Sequence, residues 1–189
     1  MSRLEAHTLL RHLCNSEADN ATIDAIKLIM QTGCRVTEVC TIEVSDLRPL
    51  DQSWLIPAGK NKGGREHVLW LPESLYRMLC RRAAVVESGY LFRSPTDPAK
   101  HLADSTIRQA MKRFCQQLEM PHYSPHKLRT TVNTILAKAG YGEELRAKYL
   151  NHRCGGVNNF HYNAYDYFYE KREMAEVIWS FYISEKTNE

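Results

Sequence analysis

Apolar residues along this chain recur mostly at helical spacing, with the main strand-like runs in the stretch between residues 54 and 72. Segments 3–14 and 21–32 read as helices. The second carries Ile23, Ile26, Leu28, Ile29 and Met30 on a helical period, with Asp19 or Asn20 available as a cap and Gly33 as the stop. A short helix follows over about 35–41. WLIPA (54–58) and EHVLWLP (66–72) read as strands flanking a Gly- and Lys-rich turn. Residues 73–88 read as a helix that starts with Pro72 and Glu73 and ends at Gly89, and YLF (90–92) as a short strand. Beyond a proline-containing loop (94–100), Asp104 or Ser105 can cap a helix to about 119 with Ile107, Met111, Phe114 and Leu118 as its apolar stripe. Pro125 breaks the chain just before HKLR (126–129), from which a helix runs to Gly140. Two more helices are expected over 143–151 and 156–168. The C-terminal tail, about 168–189, carries Val177, Ile178, Trp179, Phe181, Tyr182 and Ile183, too apolar for a free solvated end. The pattern predicts an α+β fold, mostly α, with one small antiparallel sheet.

Length fits this picture: 189 residues suit a single domain, and an apolar fraction of 43% supports a real core. No apolar run approaches the ~20 residues of a membrane span. The first residues, MSRLEAHTLL, lack a secretory signal's apolar stretch, so an intracellular location is expected. Cys14, Cys34, Cys40, Cys80, Cys115 and Cys154 form no CxxC pair and suit free thiols in a reducing compartment. The net charge of +3 is modest, but its distribution is uneven. From Asp166 onward there are 6 acids and 3 bases, which leaves 22 bases and 16 acids before it. A basic body with an acidic tail is compatible with a polyanionic partner, and equally with ordinary surface charge.

The cations Arg35, Lys62, His126, Arg129 and His152 lie far apart in sequence, a spread that makes sense if they converge on one phosphate. Phosphodiester cleavage passes through a crowded phosphorus centre with extra negative charge on its oxygens, and fixed cations lower that barrier. Arginine stays charged and its fork binds two phosphate oxygens at once, so Arg35 and Arg129 suit a clamp; either alone suits a surface ion pair as well. His126, one turn before Arg129 and next to Pro125, sits near a helix start, where N–H groups favour an anion. His152 precedes a loop with Gly155 and Gly156 and can donate to a second phosphate oxygen. Lys62, in GKNKGGRE, is placed on a turn tip that could reach a leaving oxygen, with Lys60 and Arg65 as local competitors. Tyr162, Tyr165, Tyr167 and Tyr169 crowd together; such density suits core packing, but one exposed tyrosine beside a cation cluster suits a nucleophile. No metal motif, Gly-rich phosphate loop or cofactor fingerprint accompanies these residues, so neither metal nor cofactor is expected.

Together these segments resemble the catalytic domain of the tyrosine recombinase (phage integrase) family. TGCRVTEV (32–39) is similar to that family's TGxRxxE box, HKLR to its HxLR box, and LNHR (150–153) to its LGH box with Asn151 in place of glycine. The strand–turn–strand with Lys62 resembles the family's catalytic β-hairpin lysine. Most members place the tyrosine nine residues past the last histidine; here the spacing is ten, and position 161 is a second histidine. Integrases of satellite phages and genomic islands share that spacing and a run similar to YNAYDYFYEKREMAEVIWSFY (162–182), which favours Tyr162 over Tyr165.

The resemblance implies a tyrosine recombinase catalytic-domain fold and an enzyme that cuts and rejoins double-stranded DNA at attachment sites. Tyr162 would form a 3′-phosphotyrosyl link, Arg35, Arg129 and His152 would stabilise the transition state, and Lys62 would be the general acid. His126 would assist proton transfer or hold the phosphate, and Glu38 would orient the clamp. Lys60, Arg65, Arg108 and Lys112 are candidate DNA contacts, with Arg113 beside them. It implies four protomers on two DNA sites, a monomer or weak oligomer when free, a directionality factor and a DNA-bending host protein as accessories, and a nucleoid-associated setting in a bacterial cytoplasm. The tail would dock on a neighbouring protomer or pack on its own domain. Family members usually carry a core-binding domain, and often an arm-binding domain, ahead of the catalytic one; nothing in 1–189 corresponds to either, so a catalytic fragment is expected. The competing readings are a type IB topoisomerase-like nicking-closing enzyme, a non-catalytic DNA-binding protein of the same fold, and a plain helical interaction domain.

Overall fold

The computed structural model describes residues 1–15, 21–152 and 166–183. The elements run α1 (Arg3–Cys14), α2 (Ala21–Thr32), α3 (Val36–Cys40), β1 (Leu47–Arg48), β2 (Ser53–Ile56), β3 (His67–Trp70), α4 (Glu73–Val86), α5 (Asp104–Gln117), α6 (Pro125–Lys138), α7 (Glu143–Tyr149) and α8 (Phe168–Ile183). The α+β, mostly helical expectation is met. Helix α2 is the axle: it is apolar nearly all round and packs against α1, α3, α5, α6 and α8. Ile26, Leu28, Ile29, Leu128, Val132 and Ile178 meet in the core around it, none of them appreciably exposed.

The sheet is antiparallel with order β1-β2-β3, and β2 pairs β3 in the register Ser53↔Trp70 to Ile56↔His67. Both strands are shorter than the sequence pattern predicts. Pro57 closes β2 because it has no N–H to give the ladder, and a 3₁₀ turn, Ala58–Lys60, follows at once. Strand β1, only two residues long, has no readable period and was not anticipated. YLF does not form a strand: Tyr90 makes an isolated bridge to Glu43, and Arg93 one to His101.

Helix starts follow local chemistry, with one correction. Ser2 and Glu5 form a reciprocal capping box on α1, and Ser124 caps α6 with Pro125 at the first helical position. Neither Asp104 nor Ser105 caps α5. Ala103 holds that place, and Asp104 lies inside the first turn, where its carboxylate faces the positive helix end and pairs with Arg108. Asp19 and Asn20, the expected caps of α2, lie outside the described residues, as does most of the helix expected over 156–168. At its far end that expectation fails: Tyr167 takes a positive φ of 58°, and Phe168 opens a new helix. That helix, α8, lies across α1, α2, α6 and β3 of the same chain and buries Met174, Ala175, Ile178 and Tyr182. The apolar tail, through Ile183, thus packs on its own domain. Among the described residues no helix is long and apolar enough to cross a membrane.

Candidate active site

The end of α2 sets the first part of the site. Gly33 turns the chain at φ +67°, and its carbonyl points to α6. A Cβ there would meet Leu150 Cδ2 at 2.9 Å and Val132 Cβ at 3.1 Å, so three segments close on this one residue. Two residues on, Arg35 is the extended residue that opens α3, and Glu38 lies one turn into it, almost fully buried. One Glu38 carboxylate oxygen accepts from the Arg35 backbone N–H at 2.8 Å, the other from Arg35 Nη1 at 2.7 Å. Both ends of Arg35 are therefore held by one carboxylate, which sets the guanidinium's direction. Its Nη2 donates to the Asn151 carbonyl at 3.3 Å.

Helix α6 supplies the second part. His126 is exposed in its first turn, and Arg129 follows one turn later, buried. Arg129 Nη1 donates to the Gly33 carbonyl at 2.6 Å, Nη2 to the Leu150 carbonyl, and Nε to His152 Nε2 at 3.3 Å. Burial, and then the nearby Arg35 charge, hold the Arg129 proton affinity below its ordinary value. The His152 pKa is pushed down to about 4, by desolvation first and then by Arg129, Arg35 and His126. His152 is thus neutral near pH 7. Because its Nε2 accepts from Arg129, the ring proton belongs on Nδ1, free to be donated elsewhere.

Arg35, His126 and Arg129 line one cleft of about 310 Å³, with Ser124 and Arg108 at its rim. Cys34 also lines it; burial pushes this thiol up to about 12, so it stays protonated. Two guanidiniums lie here close enough for the Arg35 charge to bear on Arg129, with Glu38 already engaged. An anion with several oxygens would relieve that repulsion.

The turn between β2 and β3 flanks the site. Lys62 is exposed there. Lys60, its local competitor, has its ammonium 2.7 Å from Asp46 and 3.1 Å from Glu43, so two carboxylates hold it against the base of the sheet. Arg65 is exposed and lines a second cavity of about 350 Å³ with Arg48, Lys148, Asn151 and Lys171. Arg108 reaches Asp104 at 3.5 Å beside the first cleft, and Lys112 and Arg113 are exposed on α5. Tyr162 and Tyr165 lie outside the described residues.

Sequence reasoning missed two residues here. Asn61 Nδ2 donates to the carbonyls of Pro57 (2.8 Å) and Arg65 (2.7 Å), while its Oδ1 accepts from the Gly63 N–H (2.9 Å) and from Asn151 Nδ2 (3.2 Å). Asn151 is buried at φ +50°. That backbone conformation explains how asparagine can stand where the resembling motif has glycine, since these two residues tolerate it best. The signal for Asn61 was its place in a Lys- and Gly-rich turn, where asparagine bonds its own backbone. Nothing in the sequence pointed from Asn61 to Asn151.

Comparison with known proteins places this geometry in context. A tyrosine recombinase of Agathobacter rectalis is 27% identical over 134 residues, covering 66% of this chain and 42% of that protein. Tyrosine recombinase XerA of Pyrococcus horikoshii is 27% identical over 141 residues, covering 72% and 48%. The chain thus spans a little under half the length of these relatives. Among solved structures, the integrase of mycobacterium phage Brujita superposes with a TM-score of 0.69 at 20% identity, over 97% of this chain and 58% of that one. A XerA recombinase gives 0.67 at 16%, over 100% and 64%. XerH bound to its difH substrate gives 0.69 at 18%, over 82% and 47%. These structures share the fold. Residues 1–167 match the model of the phage integrase family, and on that match, which takes in every cation of the cleft, the chain belongs to that family.

Proposed function

We propose that this chain is the catalytic domain, 1–189, of a site-specific DNA recombinase. It cuts and rejoins one strand at a time through a 3′-phosphotyrosyl intermediate. The observation that carries this reading is that Arg35, His126 and Arg129, from distant segments, line one cleft, with His152 bonded to Arg129 behind it. The naming of its relatives as tyrosine recombinases supports the same reaction, and neighbours solved on DNA, XerH and the Tn1549 transposon integrase, support DNA as the partner.

In this mechanism Tyr162 Oη attacks the scissile phosphorus and the P–O5′ bond breaks. The Lys62 ammonium gives its proton to the departing 5′-oxygen. Arg35, Arg129 and the Nδ1–H of His152 bind the non-bridging oxygens, each guanidinium contributing about 3–4 kcal/mol of barrier lowering. His126 holds the phosphate or takes the Tyr162 hydroxyl proton, which otherwise passes to solvent, and Glu38 aims Arg35. The tyrosyl phosphate keeps the energy of the broken bond, so rejoining needs no nucleotide and the whole cycle no metal. Arg65, Arg108 and Lys112 contact the DNA backbone. Four protomers work on two attachment sites in the bacterial cytoplasm, with a directionality factor and a DNA-bending host protein as accessories. The ten-residue step from His152 to Tyr162 favours the satellite-phage and genomic-island subtype.

Covalent trapping tests this. The protein is mixed with nicked suicide duplexes of random sequence, and adducts are captured on a denaturing gel beside Tyr162→Phe. An adduct lost in the variant is expected. One that persists moves the nucleophile to Tyr165 or another neighbour. DNA binding without any adduct replaces the reading with a non-catalytic DNA-binding protein.

A further inference from the structure

We propose that Asn151 and Asn61 form a latch that positions Lys62 over the arginine clamp. The proposal rests on the cleavage reading above and adds to it a positioning pair.

The turn that carries Lys62 is closed from inside by one side chain. An amide has two N–H donors and an oxygen with two lone pairs. Asn61 uses all four. The carbonyls of Pro57 and Arg65 can only accept, so they fix which end of the amide is Nδ2. Oδ1 must then face the Gly63 N–H and Asn151 Nδ2. The two arms of the turn are thus clasped across residues 57 to 65, and Asn151 is the tie between that clasp and the domain. The residue after Asn151 is His152, and the Asn151 carbonyl accepts from Arg35 Nη2. One residue therefore touches the clamp with its backbone and the Lys62 turn with its side chain. Glycine would satisfy φ +50° at least as well, so the backbone alone gives no reason for asparagine. The side-chain bond does. Gly63 belongs to the same device: a Cβ there would lie 3.0 Å from both Asn151 Oδ1 and Asn61 Oδ1, in the gap where the amides meet. Lys62 lies between these two anchored residues, which leaves its own side-chain torsions as its main freedom.

The test variant is Asn151→Gly, which keeps the left-handed backbone and removes only the amide. The first readout is amide hydrogen exchange at Gly63, which needs no DNA. The second is single-turnover cleavage of a duplex captured by the trapping above, made once with the natural 5′-oxygen and once with sulfur bridging at that position. A thiolate leaves with its electron pair and needs no proton, so the sulfur duplex bypasses the general acid. The latch predicts faster Gly63 exchange and cleavage of the oxygen duplex slowed about tenfold, the worth of one well-placed hydrogen bond. It predicts near wild-type cleavage of the sulfur duplex. Lys62→Ala should show a deeper loss with the same rescue. Unchanged Gly63 exchange would overturn the latch. Equal slowing of both duplexes would overturn its action through Lys62. If wild type forms no adduct with any duplex, the cleavage reading falls and takes the role of Lys62 with it, while the exchange result still reports whether Asn151 holds the turn.

Discussion

Replacing Gly33 by alanine tests whether the junction beneath the clamp is as tight as it looks. The backbone there is at φ +67°, and placing a Cβ in that conformation costs about 1–2 kcal/mol. The new methyl would also meet Leu150 Cδ2 at 2.9 Å and Val132 Cβ and Cγ1 at 3.1 Å. Leu150 and Val132 are both buried, so neither can swing into solvent to make room. Overpacking of that kind adds about 1–3 kcal/mol. The expected loss is thus about 2–5 kcal/mol, or a Tm drop of about 4–20 °C for a domain of this size. Thermal unfolding followed by circular dichroism reads it directly. Gly59→Ala is the control, since a Cβ at Gly59 meets nothing within 4 Å; alanine should be neutral or slightly stabilising there. A Gly33→Ala midpoint within about 2 °C of that control would refute the claim that this junction has no slack. Because the Gly33 carbonyl holds Arg129, the variant should also trap less adduct at temperatures where it remains folded.

Arg35→Lys keeps the charge but cannot bind Glu38 and a phosphate with one planar fork; adduct formation should slow about 10²–10³-fold with little change in Tm, measured by single-turnover trapping. For His152, the native pKa of about 4 lies below the ordinary 6.5, so on acidification the unfolded chain takes the proton first. This share of stability is complete above pH 6.5 and is lost as pH falls toward 4, so urea midpoints should decline over that window less steeply in His152→Gln than in wild type. His67, also depressed by burial, supplies a remaining slope of the same sign. Lys171 is buried with its ammonium on the Val68 carbonyl, and desolvation pulls its pKa down to about 8 from 10.5. Wild-type stability should therefore rise between pH 8 and 10.5, and Lys171→Met should abolish that rise and stabilise the protein at pH 7 by about 1–3 kcal/mol, checked by denaturant titration.

Much of this architecture is legible because its signals are local. The 3.6 period of α2, the proline opening α6, and the Arg35–Glu38 and His126–Arg129 pairs one turn apart all depend on residues a few positions away. What stayed hidden is long-range or nearly featureless. Lys60 and Lys62 look alike on paper, and only the return of Asp46 and Glu43 to the base of the turn separates them. Helix α8 was read as an apolar tail without a secondary structure, because apolar and aromatic residues occupy several of its faces and blur its period. β1 pairs through only two residues, too few to show alternation. Arg129 was legible as a cation aimed at phosphate, but not as a residue whose donors also meet two backbone carbonyls.

On the proposed mechanism, those two carbonyls tie cutting to folding. Arg129 joins the residue that ends α2, 96 positions upstream, to the residue that ends α7, 21 positions downstream. Contacts of such span form late, since loop closure must be overcome before they give anything back. Until α7 has docked, the guanidinium lacks one of its partners and His152 has no fixed place. A nascent or partly unravelled chain therefore has a disassembled clamp, and competence to break a strand arrives in the same cooperative step as the native topology. On the proposed mechanism, whose intermediate is one opened strand held as a tyrosyl phosphate, half-folded copies are then inert rather than dangerous.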